Sequence, residues 1–475
     1  MSPSNPHAIV VGAGVGGLAA AIALRRRGFA VTVLEARDVP GGLAGGFDVD
    51  GRSHDGGPYI LLDRPGLEWA FERLGEKLSD HVELLALDEV YRVRRPDAPD
   101  VIVHRDLDRT ADGLRASFGA READRYRDFV RRMTRIHARL APLQRAPFEG
   151  ARGLLRRGLI RESAFLLRGL GAHLRATGLS EPVRDALGIW THIAGQPLAE
   201  APAPLAFVPA LVHGHGAYTV RGGIRRIAEA LHRVALAAGV DCRLATNVVR
   251  IVRDGRRVLG VETAAGDRMP AALVVSNAPG IATYARLLDP PVEALVRATA
   301  DLPLQSPGVA AYLHADVRAD VPFLSFWLPG GGEKCRVLVH AGAVDETRRG
   351  TLRLVSPTDH AWAERAARDG QGAQLDRLLA EPWWRDGVAD VHVVATRVPV
   401  EWGASFHLWR DSMNPTMTAA FMRRGRLAHR SPAADNLYLC GSATHPGQWV
   451  SFCAISGILA GDRIDPSNYS TSQLF

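Results

Sequence analysis

The sequence predicts an α/β protein of two interleaved domains, and three observations carry that prediction. A glycine turn sits between two short apolar strands within residues 8–34, a strand-rich run covers 218–278, and a strand–glycine–helix segment lies near residue 440. The length of 475 residues suggests two or three domains. Hydrophobic residues make up 47% and charged residues 23%, a globular composition that excludes disorder as the main state and a collagen-like or disulfide-stapled scaffold.

The first element is Ala8-Ile9-Val10-Val11, a buried strand. Gly12-Ala13-Gly14-Val15-Gly16-Gly17 follows, then an alanine-rich helix over 18–27 and a second strand over 30–34 that ends at Glu35, 23 residues after the first glycine. Gly12 permits the tight turn. Gly14, without a Cβ, lets a pyrophosphate approach the backbone and the positive end of the helix, and Gly17 lets helix and sheet pack closely. Glu35 is placed to accept hydrogen bonds from an adenosine ribose, should the turn hold a dinucleotide. A bare GxGxxG is weak evidence; here it stands in the required strand–turn–helix–strand–acid context.

Next come Ala36-Arg37, Pro40-Gly41-Gly42-Leu43, and Phe47 through Asp55-Gly56-Gly57-Pro58. A glycine pair six residues after the acid, then an aromatic/D-x-G-P segment, resembles FAD-binding flavoproteins of the amine oxidase and phytoene desaturase group. The resemblance implies FAD as cofactor, held here by Gly12, Gly14, Val15, Gly16, Gly17, Glu35, Ala36, Arg37, Gly41, Gly42, Leu43, Gly57 and Pro58. Many relatives carry Arg where this chain has Leu43. The carotenoid isomerase branch also lacks that Arg.

Residues 82–88, 91–94 and 101–104 read as strands. From Asp124, Tyr126, Phe129, Val130, Met133, Ile136 and Leu140 recur at helical spacing with arginines between them, and 152–179 repeats the theme. These stretches read either as core helices with a solvated arginine face or as a basic amphipathic surface that docks on anionic lipid. Residues 201–204 read as a linker. A strand at 218–220, a helix over 224–237 and strands at 243–244, 248–251 and 258–262 then resemble the second cofactor-domain segment of the same superfamily. There a valine at the place of Val248 meets the adenine edge through its backbone, and the strand 272–278, which carries Asn277, returns to the sheet beside the cofactor. Strands are expected at 309–314, 323–328, 336–340, 351–354 and 391–396.

Near the C-terminus, Asn436-Leu437-Tyr438-Leu439-Cys440-Gly441-Ser442-Ala443-Thr444-His445-Pro446-Gly447 leads through Gln448, Trp449 and Val450 into a final helix. This resembles the phytoene desaturase family, in which that helix points its positive end at the pyrimidine edge of the flavin. The resemblance adds Gly441, Ser442, Gly447, Gln448, Trp449 and Val450 to the cofactor residues. Ser442 stands where amine oxidases carry Asp. Trp449 stands where relatives have a small residue, and two readings remain for it: an indole turned into the core, or one beside the flavin that narrows the cavity. His445 and Trp449 are the candidate catalytic side chains. In the family the segment around His445 is mainly structural.

These readings give a Rossmann-type FAD-binding domain (1–80, 205–295, 425–465) interleaved with an α+β substrate domain (81–204, 296–424), the two-domain amine oxidase / phytoene desaturase-like fold. The family's chemistry implies desaturation of a hydrophobic isoprenoid or polyene by hydride transfer to flavin N5, with oxygen or a quinone as electron acceptor. A polyene isomerase or saturase, or an oxidase of another secondary metabolite, is the alternative, motivated by Leu43 and Trp449. A prenyl-lipid carrier of the Rab-escort kind shares the fold but does not account for the FAD motifs. Cys242, Cys335, Cys440 and Cys453 show no metal-ligand spacing and fit a reducing, cytoplasmic compartment. The net charge of +7 is almost all arginine, with lysine only at Lys77 and Lys334. No basic run is interleaved with stacking aromatics, so nucleic acid is not an expected partner. A peripheral membrane contact is.

Overall fold

The first strand, His7–Val11, lies between Ala30–Leu34 and Leu273–Ser276, parallel to both. Asp241–Arg243 and Leu437–Leu439 complete a five-stranded parallel sheet at its two edges. These coordinates come from a computed structural model that describes residues 5–193, 195–328, 337–341, 349–465 and 467.

A parallel strand must be apolar on both faces, because both are covered. Ala8 and Val10 pack under the helices Val15–Arg26, Arg225–Ala237 and Val450–Gly461. Ile9 and Val11 face the opposite way, onto Ile251, Val261 and Tyr284. Ile251 and Val261 belong to an antiparallel layer built from Val248–Asp254, Arg257–Thr263 and Arg268–Pro270, with Leu288–Asp289 parallel at its edge.

The second large sheet has seven strands, in the order Val388–Arg397, Val309–Val317, Arg349–Ser356, Val337–Ala341, Leu324–Trp327, Glu89–Arg95 and Ala98–His104. Period-two alternation gives it two distinct faces. Val309, Ala311, Leu313, Leu352 and Leu354 pack beneath the helix His360–Ala380 through Leu375 and Leu378. Ala310, Arg353 and Val355 point the other way, into a cavity. The strand expected at 336–340 is seen from Val337; Arg336, Cys335 and Lys334 lie outside the described residues.

Three expectations change. The helical stretch expected over 152–179 is broken into Gly150–Arg156, a 3-10 turn Ile160–Glu162, Ser163–Leu166 and Leu170–Arg175. Gly158 adopts φ +65° and Gly169 is extended, so each glycine ends a run that side-chain periodicity alone would continue. The linker expected at 201–204 instead leads into a buried 3-10 turn, Ala203–Phe207, and the helix Val208–His215. The helical run His360–Ala380, broken at Ala367 (φ +49°), was not expected at all.

Candidate active site: a glycine-lined groove opening into an apolar chamber

The two ends of the chain meet at glycines. A Cβ on Gly457 of the final helix would lie 2.1 Å from Gly16 O, and one on Gly16 would lie 2.8 Å from Gly441 Cα. The glycine pair folds onto the same turn, with Gly41 N–H donating to Ala13 O at 2.9 Å. Gly41 and Gly42 have φ of +115° and +54°, where a side chain would be strained. Gly17 does not line the cavity; it serves the packing of the turn, since a Cβ there would fall 2.0 Å from Gly12 O.

These approaches leave one continuous cavity of about 540 Å³. It is lined by Gly12, Gly14, Val15 and Gly16, by Glu35, Ala36 and Arg37, by Gly41, Gly42 and Leu43, and by Val248, Asn277, Gly441 and Ser442. Gln448, Trp449 and Val450 line it at the start of the final helix, and Gly57 and Pro58 line it as well. Glu35 is buried, its Oε2 accepting from Ala13 N at 2.7 Å and its Oε1 from Arg37 N at 3.0 Å. Each carboxylate oxygen keeps a lone pair for a ribose hydroxyl. Arg37 stacks over Phe406 with its Nη1 buried and without a hydrogen-bond partner among the described residues. The donors of the helix start at Val15, the side-chain-free glycine wall and the unpartnered Arg37 nitrogen together fit the pyrophosphate and adenosine of FAD.

The same cavity has an apolar set of lining residues, Ile60, Leu61, Leu62, Trp190, Leu205, Met413 and Met417, and Trp449 lines it too. Trp449 caps the final helix, stacks on Phe452 at 5.1 Å and packs against the core that holds Trp190 and Leu205. One face of the indole is packed, and the residue borders the cavity.

His445 does not line the cavity. Its Nε2 pairs with Leu143 O at 2.9 Å, its ring leans on Phe148, and burial pushes its pKa down to about 4. That placement corrects its candidacy as a base, because a general base must reach the proton it removes. Gly447 also faces away, toward Phe452.

Several residues of the site escaped the sequence reading. Arg353 donates from Nη1 to Asp55 O at 2.9 Å and Gly57 O at 2.6 Å, pinning the D-x-G-P segment to the seven-stranded sheet. Asn414 accepts from Ser442 Oγ at 3.2 Å and donates to Gln448 Oε1 at 3.3 Å, closing a polar edge. Arg426 holds Ser442 O at 3.0 Å from behind the wall, and burial lowers its pKa to about 10. Asp63 lines the chamber; the Asp-Arg-Pro run 63–65, a helix-capping signature, was its only advance signal.

A family model described as flavin containing amine oxidoreductase matches residues 15–465, and the chain belongs to that family. FAD is its cofactor, and the chain is a phytoene desaturase-like FAD-dependent oxidoreductase. It is 35% identical to hydroxyneurosporene desaturase of Cereibacter sphaeroides over 61% of this chain and 60% of that one. It is 29% identical to phytoene dehydrogenase of Streptomyces griseus, over 96% of this chain and 95% of that one. Among solved structures it is similar in fold to putrescine oxidase, with a TM-score of 0.65, 19% identity and coverage of 96% and 98%. It is also similar in fold to a fatty acid isomerase from P. acnes, with a TM-score of 0.64, 15% identity and coverage of 98% and 99%.

Proposed function

We propose that this protein desaturates a hydrophobic, isoprenoid or polyene-like substrate, a hydride leaving a substrate carbon for flavin N5. The carrying observation is that the residues that fit a dinucleotide and the apolar side chains Leu62, Trp190, Leu205 and Met417 line one and the same cavity. The carotenoid desaturases to which the chain is similar support this reading. Bound FAD supplies the two-electron acceptor. The chain's own work is to orient the substrate and to exclude water with the apolar part of the wall. The final helix presents its first-turn amides and positive end to the cavity at Trp449–Ser451, where they would stabilise negative charge on bound FAD. Trp449 favours a second reading: a large indole bordering the cavity where relatives carry a small residue suits a shorter substrate, or one isomerised rather than oxidised.

One experiment separates these. The holoenzyme is mixed anaerobically with phytoene or hydroxyneurosporene, and the flavin and polyene spectra are followed. Bleaching of the flavin with a lengthened chromophore is the expected result; a shifted polyene spectrum with the flavin still oxidised would favour isomerisation. Oxygen or a quinone, added afterwards, identifies the acceptor.

The same reading includes delivery from a membrane. Among the described residues no helix is long and apolar enough to cross one. Yet the short segment 148–167 exposes Phe148, Leu155, Ile160 and Leu167 at 46%, 67%, 53% and 57%, beside exposed Arg152, Arg156, Arg157, Arg161 and Arg168. Apolar side chains ringed by arginines suit an anionic bilayer surface. The protein is expected to float with vesicles containing phosphatidylglycerol and not with phosphatidylcholine alone. Leu155→Asp with Ile160→Asp should abolish flotation while leaving the melting temperature unchanged, since both residues are exposed. Loss of flotation in neither variant nor high salt would remove this part of the reading.

A further inference from the structure

The wall between the helix Arg64–Arg73 and the final helix holds an acid that its structural role only half explains. Asp63 is 6% exposed and lines the cavity. It caps the helix Arg64–Arg73, its Oδ1 accepting from Gly66 N at 3.1 Å. Its Oδ2 is buried and makes no hydrogen bond of good geometry among the described residues; Ser451 Oγ, on the first turn of the final helix and in the same cavity, is the side chain that faces it. An N-cap needs one oxygen. Taking the second carboxylate oxygen out of water carries a cost that capping does not account for.

We propose that Asp63 is the proton acceptor of the desaturation; this rests on the function proposed above. As a hydride leaves one substrate carbon for the oxidised flavin with its electron pair, the neighbouring carbon gives its proton to Asp63 Oδ2. The electron pair of that second C–H bond becomes the new C=C. The proton passes to solvent when product leaves. The groups facing the carboxyl are Ser451, the Gly66 amide, Arg145 on the 3-10 turn Ala141–Arg145, and His215 at the end of the helix Val208–His215. Burial outweighs them and holds the carboxyl above its ordinary range, which makes the carboxylate a stronger base.

Asp63→Asn tests this, because Asn caps a helix as well as Asp does. The variant should keep its melting temperature, its FAD content and its binding of phytoene and hydroxyneurosporene, read from the polyene spectrum. Its anaerobic flavin bleaching should slow by about 10²–10⁴-fold, the usual contribution of a general base. The wild-type rate should fall as pH drops through the raised carboxyl pKa, and that limb should vanish in Asp63→Asn and return in part in Asp63→Glu. Bleaching of Asp63→Asn at the wild-type rate would overturn the assignment and leave the desaturase reading standing. So would a rate that falls only in step with lost FAD or a lower melting temperature. Failure of the wild type to bleach with either polyene would remove the desaturase reading and the proton acceptor with it.

Discussion

Gly457→Ala is expected to purify nearly free of flavin and to melt well below the wild type. At this position the final helix crosses the first, and an added methyl carbon would sit 2.1 Å from Gly16 O and 2.8 Å from Ala20 N. Both neighbours are backbone atoms of the helix Val15–Arg26, so no rotamer relieves the clash. Gly461, one turn further on, would put its Cβ 2.9 Å from Ala23 Cβ, so the two helices are in close contact over a full turn. Overpacking of a close interface costs about 1–3 kcal/mol. Here the displacement also moves Gly16 and with it the wall against Gly441. Gly113→Ala is the control: the residue is exposed in the helix Leu107–Phe118, a Cβ there meets nothing within 4 Å, and the change should stabilise by about 0.4–1 kcal/mol. The flavin-to-protein absorbance ratio and the melting temperature of the two variants decide the matter. A Gly457→Ala protein as yellow and as stable as the wild type would mean that the helices have slack the geometry does not show.

Glu35→Ala should weaken FAD binding by about a hundredfold or more. The side chain binds two backbone donors at once, Ala13 N–H inside the glycine turn and Arg37 N–H on the segment leading to Gly41. Truncation leaves both donors unpaired, the buried one at Ala13 at a cost of about 1–3 kcal/mol and the half-buried one at Arg37 at less. It also removes the acceptor offered to the ribose. A loss of about 3 kcal/mol corresponds to roughly a hundredfold in the dissociation constant. Glu35→Gln is the sharper variant, because one of its two positions would set an amide N–H₂ against a backbone N–H. Titration of FAD into apoprotein measures both, and affinities within about threefold of wild type would remove Glu35 from the cofactor's recognition.

The parts of this molecule that sequence revealed are those whose cause is local. Strand, glycine turn, helix and acid at residues 8–35 form one contiguous unit, and each glycine answers a steric demand a few residues away. The strands at 248–263 and 273–276 and the closing segment from Leu437 were legible for the same reason. The helix His360–Ala380 was not, because its buried face is only Ala363, Gln371, Leu375 and Leu378, too sparse to set a period. Asp63, Arg353 and Asn414 were invisible for another reason: each acquires its role from partners far away in the chain, such as Ser451, Asp55 and Ser442. His445 shows the converse, a reactive residue type in a suggestive motif whose ring is committed to a carbonyl 302 positions earlier.

The edge strand Leu437–Leu439 bears on how the polypeptide is made. Leu273–Ser276 gains its second parallel neighbour only when that late segment has left the ribosome, and the helix that closes the groove follows later still. A nascent chain therefore carries an apolar, unpaired sheet margin through most of its synthesis, a state prone to misassociation and in need of chaperone cover. A premature stop anywhere ahead of the closing helix should yield a colourless product destined for proteolysis, however complete its opening glycine motif.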